Sequence, residues 1–147
     1  MYPDLDTFKT HVVKVAAAGV GLVVCGTMGE AHHLTASERI ALISTARSAL
    51  DEASPSLAHV PIIAGTGSGS TRQTIDLTRD AYDAGADYAI VIMSGFFAGA
   101  LANNRRALKA YWSDVAKSSP MPLLIYNCGP LVFSTEIFEN GLTEPLR

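Results

Sequence analysis

Cysteines, clusters of positive charge and long apolar runs, which often indicate the function of a protein, are scarce in this 147-residue chain. The two cysteines, Cys25 and Cys128, lack the spacing of a zinc site or a secreted disulfide framework, so we expect reduced, buried thiols. The longest run of positively charged residues is Arg105-Arg106, and the net charge is -3. This charge gives no reason to expect a nucleic acid or an anionic membrane as a partner. No apolar run approaches the roughly 20 residues that span a bilayer, and the first residues do not resemble a signal peptide. These absences favour an intracellular protein, cytoplasmic or, after removal of a targeting segment, mitochondrial.

What the chain does contain is an alternation of two hydrophobic patterns. Short, continuous apolar runs alternate with longer segments whose apolar residues recur every three or four positions, as on one face of a helix. Strands are predicted over residues 21–25, 60–64, 88–93 and 122–126, and helices over residues 6–18, 37–53, 72–83 and 103–118. Thr35 and Glu38 have the spacing of a capping box at the start of the second helix. The alternation predicts an α/β fold.

The strands are apolar throughout, which predicts burial on both faces and parallel pairing through right-handed crossovers. Two architectures fit this pattern. One is an open, doubly wound sheet; the other is part of a (β/α)8 barrel, which needs eight strands and therefore twice the number predicted here. Periodicity alone does not choose between them.

Small and polar residues follow every predicted strand, and functional residues of parallel folds gather at this end. The loops are Gly-Thr-Met-Gly-Glu (26–30), Gly-Thr-Gly-Ser-Gly-Ser-Thr (65–71), Ser-Gly-Phe-Phe (94–97) and Asn-Cys-Gly-Pro (127–130). Glycine turns expose N–H groups that can bind a carboxylate or a phosphate, but they also serve purely conformational needs. Both interpretations stay open for residues 65–71, where Ser70 or Thr71 is a candidate helix cap. A P-loop is disfavoured there because its lysine is absent.

Four motifs, in this order and at these separations, resemble the dihydrodipicolinate synthase/N-acetylneuraminate lyase family. They are residues 26–30, residues 64–71, Ala-Gly-Ala-Asp at 84–87 and Tyr126-Asn127. The resemblance implies a (β/α)8 barrel of class I aldolases, in which pyruvate or another 2-oxo acid forms a Schiff base with a lysine, without a further cofactor. It predicts a partial TIM-barrel domain over residues 1–130, with about four parallel strands and truncated at both ends. Residues 131–147 are predicted to form a divergent C-terminal tail.

The resemblance also implies roles for individual residues. Thr27 would pass protons between hydroxyls, and the backbone amides around Met28 and Gly29 would hold the substrate carboxylate. Tyr126 would donate and accept protons beside the imine. Without the resemblance, Tyr126 would be interpreted as an aromatic residue at a strand end. Glu30 is expected to tie the loop by accepting backbone N–H bonds rather than to act as a general base.

Three departures from the family pattern bear on activity. Met28 stands where most members have a second threonine, so a side-chain hydroxyl is lost while the backbone donors remain. Phe96-Phe97 stands where many members carry a tyrosine pair that completes a hydroxyl relay across a subunit interface. The family's Schiff-base lysine lies on the strand after the Tyr-Asn strand, which this chain lacks. The lysines present are all on predicted helices and are expected to point outward: Lys9, Lys14, Lys109 and Lys117.

Two functions therefore stay open. One is an aldolase or lyase acting on 2-oxo acids, with catabolic enzymes such as 4-hydroxy-2-oxoglutarate aldolase favoured over dihydrodipicolinate synthesis. The other is a noncatalytic remnant or assembly partner. Half a barrel leaves strand edges unpaired and an apolar face open, which favours aggregation or pairing with another chain, a homo-oligomer included. A metal site at Glu30, His32 and His33 is disfavoured because adjacent histidines diverge. Tyr111 and Trp112 are predicted to pack in the core.

Overall fold

The computed structural model of the protein describes residues 3–93, 95, 99–100 and 104–128. The described helices are α1 (Leu5–Ala17), α2 (Ala36–Ala53), α3 (Thr71–Asp83) and α4 (Arg105–Ser118), with a short 3-10 helix at Ala31–His33. The described strands are β1 (Leu22–Val24), β2 (Ile62–Gly65), β3 (Tyr88–Ile92) and β4 (Leu123–Tyr126). Phe96-Phe97, the start of the fourth predicted helix at residue 103 and the predicted tail at 131–147 lie outside the described residues. The predicted alternation of strands and helices is confirmed.

The four strands form one parallel sheet in the order β1-β2-β3-β4, so each strand lies beside the next in sequence. The register pairs Val23 with Ile63, Ile63 with Tyr88, and Ile90 with Leu124. The helices follow the same order on one side of the sheet, since α1 packs against α2, α2 against α3, and α3 against α4. This sequential arrangement is that of part of a (β/α)8 barrel rather than of a doubly wound sheet, whose strand order reverses.

Side-chain caps fix where the helices begin. Asp4, Ser70 and Asn104 each accept a hydrogen bond from the backbone N–H three residues on. Thr35 and Glu38 form the predicted capping box, in which the Thr35 hydroxyl accepts from the Glu38 N–H and the Glu38 carboxylate accepts from the Thr35 N–H. The hydrogen bonds that the Glu38 carboxylate accepts from the Thr35 N–H and from the Thr35 hydroxyl hold the pKa of this carboxyl below its usual value. The start of α2, directly after the first strand-end loop, is thus well determined.

The 84–87 motif has a structural role in this fold. Gly85 adopts a φ of +98°, a conformation that strains any residue with a Cβ, and an added Cβ would lie 2.8 Å from the Arg47 side chain. Asp87 accepts a hydrogen bond from the Ile62 N–H at 2.8 Å and lies 3.4 Å from the Arg47 guanidinium. The motif therefore joins the turn after α3 to the starts of β2 and β3.

The core lies between the sheet and the helices. The prediction that Tyr111 and Trp112 pack in the core is confirmed, because both are buried with Leu108 and Val115, and their rings pack edge to face with centroids 5.0 Å apart. On α3 the buried stripe consists of two threonines and two apolar residues, Thr74, Leu77, Thr78 and Ala81, while Tyr82 is 50% exposed.

The opposite face of the sheet is open, which corrects the prediction that the strands are buried on both faces. Val23 on β1 is 55% exposed and Leu124 on β4 is 42% exposed, while their sequence neighbours are more buried. This face would line the interior of a complete barrel, where side chains from all eight strands fill the centre. Four strands cannot enclose that space, so the expectation of an open apolar face is confirmed.

Candidate active site

A cavity of about 250 Å³ opens at the carboxyl ends of the strands, on the inner side of the sheet. It is lined by Thr27, Met28 and Gly29 from the loop after β1 and by Tyr126 at the end of β4. Gly65 at the end of β2 and Gly67 in the loop that follows contribute the wall between them. The cavity thus brings together every residue that the sequence predicted for the site.

The loop after β1 is a tight turn held by its own backbone. The Gly29 N–H donates to the Gly26 carbonyl at 3.1 Å, and the Glu30 N–H donates to the Thr27 carbonyl at the same distance. Gly29 therefore has no N–H left for a ligand, although it lines the cavity. Within the described part of the chain, the N–H groups of Thr27 and Met28 make no hydrogen bond. They are the donors available to an anion, while the Met28 side chain is 96% exposed.

Glu30 does not tie the loop in the way the sequence predicted. Its φ of 52° places it in the left-handed region at the start of the 3-10 helix, and its carboxylate makes no capping hydrogen bond there. A second backbone bond, from the Ala31 N–H to the Gly26 carbonyl at 3.3 Å, holds the turn instead. Glu30 shapes the loop through its backbone conformation rather than through its side chain.

The glycines after β2 are required by close packing between strand ends. A Cβ on Gly65 would lie 2.0 Å from the Cys25 carbonyl oxygen, and one on Gly67 would lie 2.7 Å from the Ile92 carbonyl oxygen. Neither glycine has a positive φ, so both are needed for space between the strand ends rather than for a special backbone conformation. Ser70 is the helix cap, as its hydroxyl accepts from the Gln73 N–H at 3.2 Å. Whether the loop also binds a ligand stays a prediction.

A buried arginine that sequence reasoning missed joins the first two loops. Arg39 on α2 donates from Nη2 to the Ala31 carbonyl at 2.6 Å, and its Nη1 lies 3.5 Å from the Gly65 carbonyl oxygen. It is buried, and no carboxylate of the described residues lies within 4 Å of its nitrogens. Arg39 lies one turn before Ile43 on the apolar stripe of α2, and this position in the sequence could have indicated that the arginine is buried. Arg39 supplies fixed positive charge behind the cavity wall.

The two cysteines differ, and the prediction that both are buried was wrong for Cys128, which is half-buried. Cys25 is buried at the end of β1, where burial raises the pKa of its thiol to about 11 although Arg39 acts in the opposite direction. At neutral pH it is therefore an uncharged part of the cavity wall. Both are free thiols, as predicted.

Cys128 lies two residues beyond Tyr126 in the chain. A hydrogen bond with the Cys128 thiol, followed by the charge of the corresponding thiolate, raises the pKa of Tyr126 above its usual value. A tyrosine hydroxyl is protonated at neutral pH in any case, and it is able to donate to a group in the cavity. The sequence offered no signal for this contact beyond the spacing of two residues, which places both side chains on the same side of an extended strand end.

Buried hydroxyls support the loop after β2 from behind. Thr66, the residue after Gly65, is hydrogen-bonded through its hydroxyl to the Thr78 hydroxyl at 2.9 Å. Thr74 on the same helix accepts from the Ser68 N–H at 3.2 Å and lies 3.4 Å from the Tyr111 hydroxyl. The loop that carries Gly65 and Gly67 is thus fixed to α3 and, through Tyr111, to α4.

All four lysines lie on helices α1 and α4, and none of them lines the cavity. Among the described residues there is no group of three or more histidine, cysteine or acidic side chains arranged to bind a metal ion. Nor is any described helix both long and apolar enough to cross a membrane. What converges on the cavity is a pair of backbone donors, two hydroxyls and a buried cation behind them.

Sequential parallel strands, with a cavity at their carboxyl ends, define this protein as part of a (β/α)8 barrel with its site in the usual position for that fold. Residues 7–134 match the model of the dihydrodipicolinate synthetase family, and the chain belongs to that family.

The relatives are mainly aldolases and synthases. The chain is 43% identical to an L-threo-3-deoxy-hexylosonate aldolase of Aspergillus niger and 42% identical to a protein of Emericella nidulans named "Probable 4-hydroxy-2-oxoglutarate aldolase, mitochondrial". Each match covers 84% of this chain but only 36% and 39% of the relatives. A dihydrodipicolinate synthase of Acinetobacter baumannii, solved in complex with pyruvate, superposes with a TM-score of 0.73 at 29% identity over 85% of this chain and 40% of that one. The chain thus spans about two fifths of the length of these relatives.

Proposed function

We propose that the chain is part of a Schiff-base aldolase or lyase and that its cavity holds pyruvate or a related 2-oxo acid. The observation that carries the proposal is that Thr27, Met28, Gly29 and Tyr126 line one cavity, although a hundred residues of sequence separate the first from the last. The pyruvate complex of the A. baumannii relative supports this substrate class.

The geometry supports separate roles for the backbone donors and for the hydroxyls of the cavity. The free N–H groups of Thr27 and Met28 would bind the substrate carboxylate, and the buried Arg39 guanidinium would favour the negative charge from behind. The Tyr126 hydroxyl, which is protonated at neutral pH, would donate a proton to the substrate oxygen, and the Thr27 hydroxyl would pass protons onward. Both hydroxyls act without a metal ion or a redox cofactor in this scheme.

The names of the relatives support a catabolic aldolase as the parent activity. The two relatives are named as aldolases of L-threo-3-deoxy-hexylosonate and of 4-hydroxy-2-oxoglutarate. Met28, in place of a hydroxyl-bearing residue, leaves the mouth of the cavity less polar than two threonines would. We propose an intracellular location, and the name of the E. nidulans relative supports the mitochondrial alternative.

A second candidate, a noncatalytic assembly partner, is favoured by one specific observation. The covalent step needs an amine within reach of the substrate carbonyl, and the four lysines of this chain are held on outer helices away from the cavity. In this case the chain would retain substrate binding and lack the nucleophile.

Titration with pyruvate, followed by the amide resonances of the ¹⁵N-labelled chain, tests the proposed site. We expect the largest shifts at Thr27 and Met28, because their N–H groups would bind the carboxylate, and little change at Gly29, whose N–H stays in the turn. Met28→Glu would weaken binding about fivefold, since two like charges near 4 Å repel by about 1 kcal/mol in water. Met28→Gln, which has the same shape without the charge, would stay within about twofold of the wild type.

Acetone, which has the ketone without the carboxylate, serves as the control ligand and should leave these resonances unmoved. Shifts spread evenly over the chain, or equal binding by the glutamate and glutamine variants, would mean that residues 26–29 are not the carboxylate site.

A further inference from the structure

The turn after β1 is anchored at both of its ends, and its free ligand donors lie between the two anchors. At its start, the Cys25 carbonyl lies directly against Gly65 at the end of β2, where a Cβ would lie 2.0 Å from the carbonyl oxygen. At its end, the Ala31 carbonyl accepts a hydrogen bond from Arg39 Nη2 at 2.6 Å. The two N–H groups that make no hydrogen bond within the described part of the chain lie between these points. Their direction therefore depends on the anchors.

Arg39 also reaches the end of the second strand. Its Nη1 lies 3.5 Å from the Gly65 carbonyl oxygen, so one planar guanidinium spans the end of the first turn and the end of β2. The arginine is buried on α2, which packs between α1 and α3. The surroundings of Arg39 thus consist of described elements on both sides.

The chemistry of the two carbonyls explains why an arginine suits this buried position. Carbonyl oxygens only accept hydrogen bonds, and a guanidinium carries five N–H donors in a fixed fork. A buried cation is costly without a carboxylate beside it, and none of the described residues places one within 4 Å of Arg39. Its role is therefore not that of an ion pair. A lysine there would offer one ammonium on a flexible stem and would hold one carbonyl but not both.

We propose that Arg39 is a positioning residue of the carboxylate site. By binding the Ala31 and Gly65 carbonyls at once, it fixes the turn after β1 in the conformation that presents both free N–H groups to the cavity. The bridge between the two strand ends, and not the positive charge alone, is what the site requires. The proposal rests on the proposed function for the identity of the ligand, but the order of the turn can be measured without a ligand.

Pyruvate titration of Arg39→Lys tests the bridge. We expect the affinity, followed by the amide resonances of the ¹⁵N-labelled full chain, to fall about tenfold, because a turn that is correctly arranged a tenth of the time binds ten times more weakly. Arg39→Gln, which lacks the charge as well as the fork, should lose at least as much. Wild-type affinity in Arg39→Lys would mean that the site needs no bridge, and the proposal would be wrong.

Arg47→Lys is the matched control on the same helix. The Arg47 guanidinium also reaches two carbonyls, those of Ala58 and Val60, at 3.0 and 3.4 Å. These carbonyls precede β2 and lie at the opposite end of the strands from the cavity. Pyruvate affinity should stay within about twofold of the wild type, because distant sites act independently even where urea unfolding shows a similar loss of stability. Equal losses of affinity in the two lysine variants would show that Arg39 acts through general stability only.

The ligand-free chain provides a test that does not depend on pyruvate. The amide order parameters of Thr27 and Met28 should be about 0.85 in the wild type and in Arg47→Lys, and below about 0.6 in Arg39→Lys. Circular dichroism checks that each variant is folded, and Arg39→Gln takes the place of the lysine variant if that variant is not.

The order parameters separate the two proposals. If they do not change in the Arg39 variants, Arg39 does not position the turn, and any loss of affinity is an effect of charge; the proposal is then wrong. If the turn loosens in Arg39→Lys but the wild-type chain binds no pyruvate, Arg39 positions the turn as proposed, and only the proposed function fails.

Discussion

Gly65→Ala is expected to lower the free energy of unfolding by about 3 kcal/mol, the upper range for a substitution that overpacks a close contact. The alanine Cβ would lie 2.0 Å from the Cys25 carbonyl oxygen and 2.7 Å from its carbonyl carbon. These are backbone atoms at the end of a buried strand, so they cannot swing away as a side chain would. Relief requires the ends of β1 and β2 to separate, which also opens the cavity wall. Urea unfolding followed by tryptophan fluorescence measures the effect.

Gly69→Ala is the matched control in the same loop, because a Cβ there meets no atom within 4 Å. Its free energy of unfolding should change by no more than about 0.5 kcal/mol. If the two variants unfold at the same urea concentration, the close approach of the two strand ends is not a constraint on the fold. Loss of a cooperative transition in Gly65→Ala alone is the extreme form of the expected result.

Thr78→Val is expected to lower the free energy of unfolding by about 2 kcal/mol, because it leaves a buried hydroxyl without its partner. The Thr78 hydroxyl lies 2.9 Å from that of Thr66 and donates to the Thr74 carbonyl at 2.7 Å, and all three residues are buried. Valine keeps the shape of threonine, so the loss isolates the hydrogen bonds from the packing. Thermal and urea unfolding of the variant measure the change.

Thr10→Val is the matched control, because the Thr10 hydroxyl makes the same kind of bond within a helix. It donates to the Asp6 carbonyl, four residues before it, at 3.1 Å. Thr10 is exposed on α1, where water replaces the lost bond, and the change should be within about 0.5 kcal/mol. Equal losses at the two threonines would show that burial of the hydroxyl network adds nothing to stability.

The fold was predictable from the sequence because each of its local signals agrees with the others. The apolar runs and the helical spacing located strands β1 to β4 and helices α1 to α4 to within two residues, and the Thr35 and Glu38 pair marked the start of α2 correctly. They gave no signal for the 3-10 helix at Ala31–His33. The order of the strands was not accessible to periodicity, since adjacent and reversed orders produce the same pattern. It was the resemblance of the loops that favoured the barrel.

The sequence motifs predicted which residues form the site but not which of their hydrogen-bonding groups are available. The sequence brought Thr27, Met28, Gly29 and Tyr126 together, but it could not show that the Gly29 N–H is already used within the turn. That depends on the conformation of four consecutive residues, which composition does not determine. The contact between Tyr126 and Cys128 likewise depends on the geometry at a strand end.

Buried polar residues were the main class that sequence reasoning missed. Arg39, Thr74 and Thr78 lie on the buried stripes of their helices, where a pattern based on hydrophobicity expects apolar side chains. Their spacing from Ile43 and Leu77 was visible, and polar residues on an apolar stripe indicate a hydrogen-bonded network. All three support the loops that form the cavity, so polar residues on the apolar stripes of α2 and α3 could have indicated where the site lies.

We propose above that the chain carries the carboxylate donors and proton-transferring hydroxyls of a Schiff-base aldolase without the lysine that forms the imine. Borohydride trapping tests it most directly: the purified chain is incubated with pyruvate, reduced, and its intact mass is compared with that of a lysine-rich control protein. We predict no adduct above the control, because Lys9, Lys14, Lys109 and Lys117 lie on helices away from the cavity. A stoichiometric adduct at one lysine would contradict the claim.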